Sequence, residues 1–186
     1  MKTAVSRTVA VLALLLPALL VPATAGAAAS CGTGWGSLPK TSAATVSPSS
    51  APGDLVALRS GRHACFDRLV VDVDGSTQGY SVRYVDQVRS DGSGTVVPTA
   101  GGARLEVVVG APAYDDEGMA TFVPPTGQRL LDVGGYATFR EVTWAGSFEG
   151  QSTAGLGVRA RLPFRVLALD GPGTSSRVVV DVAHRW

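Results

Sequence analysis

The sequence predicts an all-β domain. Three observations carry that reading. From Leu55 onward, segments of strand length alternate with turn clusters. No stretch after residue 54 shows a 3.6-residue apolar period. Gly and Pro are abundant, at 23 and 11 of 186 residues, which suits frequent turns. Many short strands joined by tight turns imply a sandwich or a barrel, and a domain of ~130 residues is large enough to bury a full core.

The elements follow in order. Strands are expected near 55–59, 65–74, 79–89, 95–98, 103–110, 129–133, 136–145, 153–160, 163–169 and 176–184. Between them stand Asp74-Gly75, Asp91-Gly92-Ser93-Gly94, Gly101-Gly102, Gly134-Gly135, Gly146 and Gly171-Pro172-Gly173. One strand pattern occurs twice: Asp67-Arg68-Leu69-Val70-Val71-Asp72-Val73 is echoed by Ser176-Arg177-Val178-Val179-Val180-Asp181-Val182. Alternation puts Leu69, Val71 and Val73 on one face, with Val178, Val180 and Val182 their counterparts. Phe66 is expected to join them in the core. The opposite faces mix Arg, Val and Asp. Two similar strands near the two ends of the domain suggest a pseudo-symmetric sandwich.

Ahead of the domain, residues 1–29 read as a signal peptide. Lys2 and Arg7 precede an apolar run from Val9 to Val21, and Ala27-Ala28-Ala29 suits cleavage before Ser30. The run is too short for a span, which needs roughly 20 apolar residues, and no later segment could cross a bilayer as a helix. Removing 29 of 186 residues leaves 157, with 14 Lys+Arg against 15 Asp+Glu, a formal −1. Neither this charge nor the +1 of the whole chain shows the basic excess of a nucleic-acid binder. Asn and Ile are absent and Lys is scarce, as expected of a GC-rich bacterial gene; without Asn there is no N-glycosylation site.

Residues 30–53 divide into a tethered segment and a linker. Residues 38–53, rich in Ser, Thr, Ala and Pro, are expected to be flexible. The two cysteines, Cys31 and Cys65, suit a disulfide in an exported chain. Such a bridge would contribute about 3–4 kcal/mol and dock Trp35 near Cys65. The alternative is lipidation of Cys31, but Ala28-Ala29-Ser30-Cys31 is a weak lipobox, because the third residue before the Cys is not Leu, Val or Ile. The domain proper is assigned to 54–186.

Several blocks resemble the AMIN-like domains of exported actinobacterial proteins, distant relatives of the AMIN domain of cell-wall amidases. They are CGTGWGSLPK (31–40), GRHACFDRLVVDVDG (61–75), GYSVRYVDQV (79–88), SFEGQSTAGLGVRARLPFRV (147–166) and RVVVDV (177–182). The resemblance implies two packed β-sheets. For AMIN domains proper it implies peptidoglycan binding that targets enzymes to the envelope. It assigns no functional residue here.

Catalytic signals are weak. His63 and Cys65 lie at i and i+2 with no third orienting group, and a disulfide accounts for the cysteine. There is no G-x-S-x-G elbow, and His184 is an unpromising base. Paired acids for glycoside cleavage are not identifiable from sequence. Two His and this Cys spacing do not form a zinc site. Asp115-Asp116-Glu117 reads as a solvated loop, and Asp72-Val73-Asp74-Gly75 lacks the later ligands of a calcium loop. No catalytic residue, metal or cofactor is therefore expected.

Binding signals are better. Tyr136, Phe139, Trp144 and Phe148 interleave with Arg140, Glu141 and Glu149, and rings with Arg and Glu suit sugars and peptide carboxylates. The plainer reading puts these rings in the core. Trp144, Arg140 and Arg159 are the candidate binding residues. The expectation is an exported, envelope-associated, non-catalytic module that binds peptidoglycan or an envelope protein. With no room for an enzyme domain after the last strand, its client would be another polypeptide. The alternative is a secreted interaction or inhibitor domain working through loops or an edge strand.

Overall fold

The computed structural model describes residues 31–32, 34–43, 51–125 and 129–186. The proposed signal peptide lies outside the described residues. Eleven strands form: β1 (Lys40–Ala43), β2 (Asp54–Arg62), β3 (Phe66–Asp74), β4 (Gly79–Val85), β5 (Val88–Arg89), β6 (Val96–Val97), β7 (Ala103–Val109), β8 (Phe139–Phe148), β9 (Gln151–Val158), β10 (Phe164–Asp170) and β11 (Ser176–Ala183). A five-stranded sheet runs β1-β4-β7-β9-β8 and a four-stranded sheet β10-β11-β3-β2, both antiparallel, with β5-β6 as a small separate ladder. The fold is the all-β sandwich that the turn spacing implied.

The core lies between the two sheets. Leu69, Val71 and Val73 of β3 and Val178, Val180 and Val182 of β11 are at most 1% exposed. They meet Leu105, Val107, Val142 and Leu156 of the facing sheet. Phe66 corrects the expectation. It is half-buried on the outer face, because it has the parity of Arg68 rather than Leu69. The two echo strands are also not distant counterparts. They are hydrogen-bonded neighbours, with Val71 opposite Val178 and Val180 opposite Leu69, so the symmetry they carry is local to one antiparallel pair.

Three further boundaries differ from the sequence reading. Lys40–Ala43 falls in the expected linker, yet pairs with β4 as an edge strand; residues 44–50 lie outside the described residues. Residues 129–133 form no strand, only a bridge from Arg129 to Thr143, although Leu130 and Val133 are buried. The expected strand 79–89 breaks into β4 and β5.

β9 shows how sequence shapes the far side of the five-stranded sheet. Leu156 points into the core. The flanking Gly155 and Gly157 leave room for residues 99–100 to lie against the strand's back: a Cβ at Gly157 would run into the carbonyl oxygen of Ala100. Thr99 Oγ1 and Thr143 Oγ1 share a buried 2.8 Å hydrogen bond there.

The segment before β1 is clamped to the domain. Cys31 and Cys65 form the disulfide, so the Cys31 sulfur is not open to lipidation. Trp35 packs edge-on against Phe66 at 5.7 Å, and the Arg165 guanidinium lies 4.4 Å from the Trp35 ring centre. The expected docking of Trp35 near Cys65 is what the structure contains.

Candidate functional site

A cavity of about 640 Å³ opens where residues 129–136 lie along the start of β8. Local chemistry builds it. Leu130 and Val133 anchor the segment in the core, and the Leu130 N–H donates to Val142 O at 2.9 Å. Asp132 Oδ1 accepts from the Gly134 N–H at 2.9 Å and turns the chain toward Tyr136. The phenol hydroxyl shares a 2.9 Å hydrogen bond with Ser60 Oγ on β2. The Tyr136 ring stacks on Phe139, centroids 5.7 Å apart, and Arg62 approaches it at 5.9 Å.

Two charged residues of β8 complete the wall. The pairing of β8 with β9 slips between Phe139 and Glu141, which leaves Arg140 as a bulged residue. A bulge re-aims the side chain it carries. Arg140 turns onto the preceding loop and donates to Phe139 O at 2.8 Å and Tyr136 O at 3.3 Å. Glu141 is held from the other side: its Oε2 accepts the Ala100 N–H at 2.6 Å, and its Oε1 lies 3.7 Å from Arg129 Nε. The Arg129 side chain remains 85% exposed. The pocket thus offers two guanidiniums, two carboxylates and one aromatic edge. That set recognises groups rich in hydroxyls, amides and carboxylates.

The sequence candidates separate. Arg140 lines the pocket. Trp144 does not: it is half-buried beside Phe122, centroids 5.2 Å apart, against the core. Arg159 is exposed beyond β9 and donates to His184 O rather than facing the pocket. Arg129 and Asp132 also line the pocket but are not among the sequence candidates, because Arg129-Leu130-Leu131-Asp132-Val133 has the look of a strand. The Gly134-Gly135 pair was the available sign that this stretch ends in a turn.

The remaining reactive groups have other employment. His63 stacks on Phe66 at 4.4 Å. His184 Nε2 lies 3.1 Å from Asp67 Oδ1, while Asp67 Oδ2 accepts the Thr138 N–H at 2.5 Å and the Phe139 N–H at 3.1 Å. This buried carboxylate ties β3, the start of β8 and the segment after β11 together beneath the pocket. Asp115 Oδ1 closes its own turn by accepting the Met119 N–H at 2.7 Å. Among the described residues, no three His, Cys, Asp or Glu side chains gather as a metal site would need.

The sequence model of the AMIN-like domain matches residues 53–184. The chain belongs to the AMIN-like domain family. AMIN-like domains are generally non-catalytic binding modules related to the cell envelope. No curated protein and no solved structure matches the chain. Among the described residues, no helix is long and apolar enough to cross a membrane.

Proposed function

We propose that this AMIN-like domain is an exported, non-catalytic module that binds peptidoglycan through the pocket between residues 129–136 and β8. The observation that carries this reading is the convergence of Arg129, Asp132, Tyr136, Arg140 and Glu141 on one cavity. Peptidoglycan supplies sugar hydroxyls, amides and stem-peptide carboxylates, the groups these side chains recognise. Residues 1–29 would direct export, and the disulfide suits an oxidising compartment outside the cytoplasm. Arg140 is the first binding candidate. Arg159 and Trp144 stand outside the pocket.

A second reading, recognition of an envelope protein through a strand edge, rests on β10. That strand ends the four-stranded sheet. Its first residue is covered, with the Phe164 N–H donating to Gly36 O at 2.9 Å; the remainder is available for strand addition. Sedimentation with isolated peptidoglycan separates the two. Wall binding requires co-sedimentation that falls on Arg140→Ala; recognition of a protein by β10 requires neither.

A further inference from the structure

The strand register sorts charge along the sandwich. Asp54 pairs with Asp74 at one end of β2 and β3, and Arg62 pairs with Asp67 at the other. The loop acids Asp115 and Asp116 join Asp54 and Asp74: burial first, and then the negative charges of Asp116, Asp115 and Asp74, raise the Asp54 carboxyl above its ordinary value. The opposite end collects cations. Ala103 and Phe139 both pair with Val158 there, which brings Arg104, Arg140 and Arg159 to the same rim. Arg159 reaches His184 O beside Arg185. Of the acids near this end, Asp67 is buried, Glu141 is taken up by the Ala100 N–H and Arg129, and Asp86 and Asp132 are exposed. A chain of almost no net charge is therefore strongly polar along its strands.

Two large apolar side chains project from the cationic end. Leu38 is 72% exposed and Trp186 70%. Both are fixed around Arg161. The Trp186 Nε1–H donates to Arg161 O at 3.2 Å, and the Arg161 guanidinium donates to Ser37 Oγ and Ser37 O at 3.2 and 3.1 Å. The same guanidinium lies 4.9 Å from the Tyr84 ring centre. Trp186 is thus held outward by its polar edge with its ring in water.

We propose that this end docks on an anionic phospholipid surface. The cations Arg159, Arg161 and Arg185 meet the lipid phosphates, and Leu38 and Trp186 enter the interface between them. A soluble polyanion would satisfy the arginines but offer nothing to a leucine and an indole ring held in water. A lipid interface satisfies both, because basic residues are drawn to anionic headgroups and Trp favours the boundary between headgroup and acyl chain. The acidic end then points away from the membrane. Arg140 on this rim belongs to the peptidoglycan pocket, but Leu38, Arg159, Arg161, Arg185 and Trp186 do not line that pocket, and the peptidoglycan assay contains no lipid, so either reading can fail alone.

The test uses the exported protein after mass spectrometry has confirmed loss of residues 1–29. It is sedimented with vesicles of phosphatidylglycerol and phosphatidylcholine in equal parts, with vesicles of phosphatidylcholine alone, and mixed with inorganic polyphosphate. The expected result is sedimentation with the anionic vesicles only, accompanied by a blue shift of tryptophan emission that disappears in Trp186→Phe. The double variant Leu38→Ser, Trp186→Ser should lose about tenfold in vesicle binding, while its melting temperature and peptidoglycan sedimentation hold. Absence of vesicle binding would overturn the proposal. So would a double serine variant that binds like the parent, or polyphosphate that binds as tightly as the vesicles.

Discussion

Arg68 and Asp181 face each other across β3 and β11, one from each copy of the repeated strand pattern. Arg68 Nε and Nη2 donate to the two Asp181 oxygens at 2.6 and 2.9 Å, and Arg165 Nε adds a third bond at 2.8 Å. Antiparallel pairing of two Arg-x-Val-x-Asp strands makes such pairs reciprocal: Asp72 stands opposite Arg177 in the same register. Only one of the pair is closed. Asp72 is held instead by Arg59 on β2, at 2.5 and 2.8 Å.

These two aspartates should therefore differ in cost. The Asp181 side chain is 0% exposed, and its hydrogen bond raises the Arg68 pKa above its ordinary value. Asp181→Ala leaves two guanidiniums without their shared carboxylate and should destabilise by about 3–5 kcal/mol. Asp72→Ala breaks a pair whose arginine is 55% exposed and should cost under about 1 kcal/mol. Urea unfolding of both variants measures the difference.

Phe139 at the start of β8 and Phe66 at the start of β3 give a second comparison, one inside the sandwich and one outside it. Phe139 is 1% exposed in the core, and Phe139→Ala should cost about 3–5 kcal/mol. Phe66 lies outside the sandwich under Trp35, and Phe66→Ala should cost clearly less, about 1–2 kcal/mol. Equal losses would mean that β3 is registered one residue away from the position described.

The disulfide should act on stability and on Trp35 together. Cys65→Ser is expected to cost about 3–4 kcal/mol. It should also loosen Trp35 from Arg165 and Phe66, seen as a red shift of tryptophan emission before the domain unfolds.

Acid should stabilise the protein through Asp91. Its Oδ2 and the neighbouring Thr153 Oγ1 are buried without a hydrogen-bond partner. Burial prevails over the nearby hydroxyl and pushes the carboxyl above 3.8. A carboxyl raised on folding favours the folded state while protonated. The gain is complete below about pH 3.8 and is lost as pH rises through the raised value. Asp91→Asn should therefore raise the melting temperature at pH 7 and flatten this part of the pH profile.

The sequence made faces legible but not neighbours. Alternation located Leu69, Val71 and Val73 and their counterparts in β11, because a half-buried strand writes its period into its residues. Nothing in that period says that β3 and β11 lie side by side. Lys40–Ala43 carries no apolar signal, and main-chain pairing with β4 is what makes it a strand. Residues 129–133 have the composition of a strand but anchor by Leu130 and Val133 alone. The pocket depends on that segment and on the bulge at Arg140, and neither the loop course of Arg129 and Asp132 nor the bulge is written in the strand period. Residue type singles out Trp144 and Arg159 but does not reveal that neither lines this pocket.

Sedimentation of the exported protein with isolated peptidoglycan, at low salt and at ~0.5 M salt where long-range attraction is screened, tests the central claim most directly. An unrelated secreted β domain serves as the control. The account predicts binding above control at both salts, reduced about tenfold by Arg140→Ala, the loss expected when a guanidinium–carboxylate contact is removed. Sedimentation no greater than the control at either salt would contradict wall binding, and binding unchanged by Arg140→Ala would contradict the pocket.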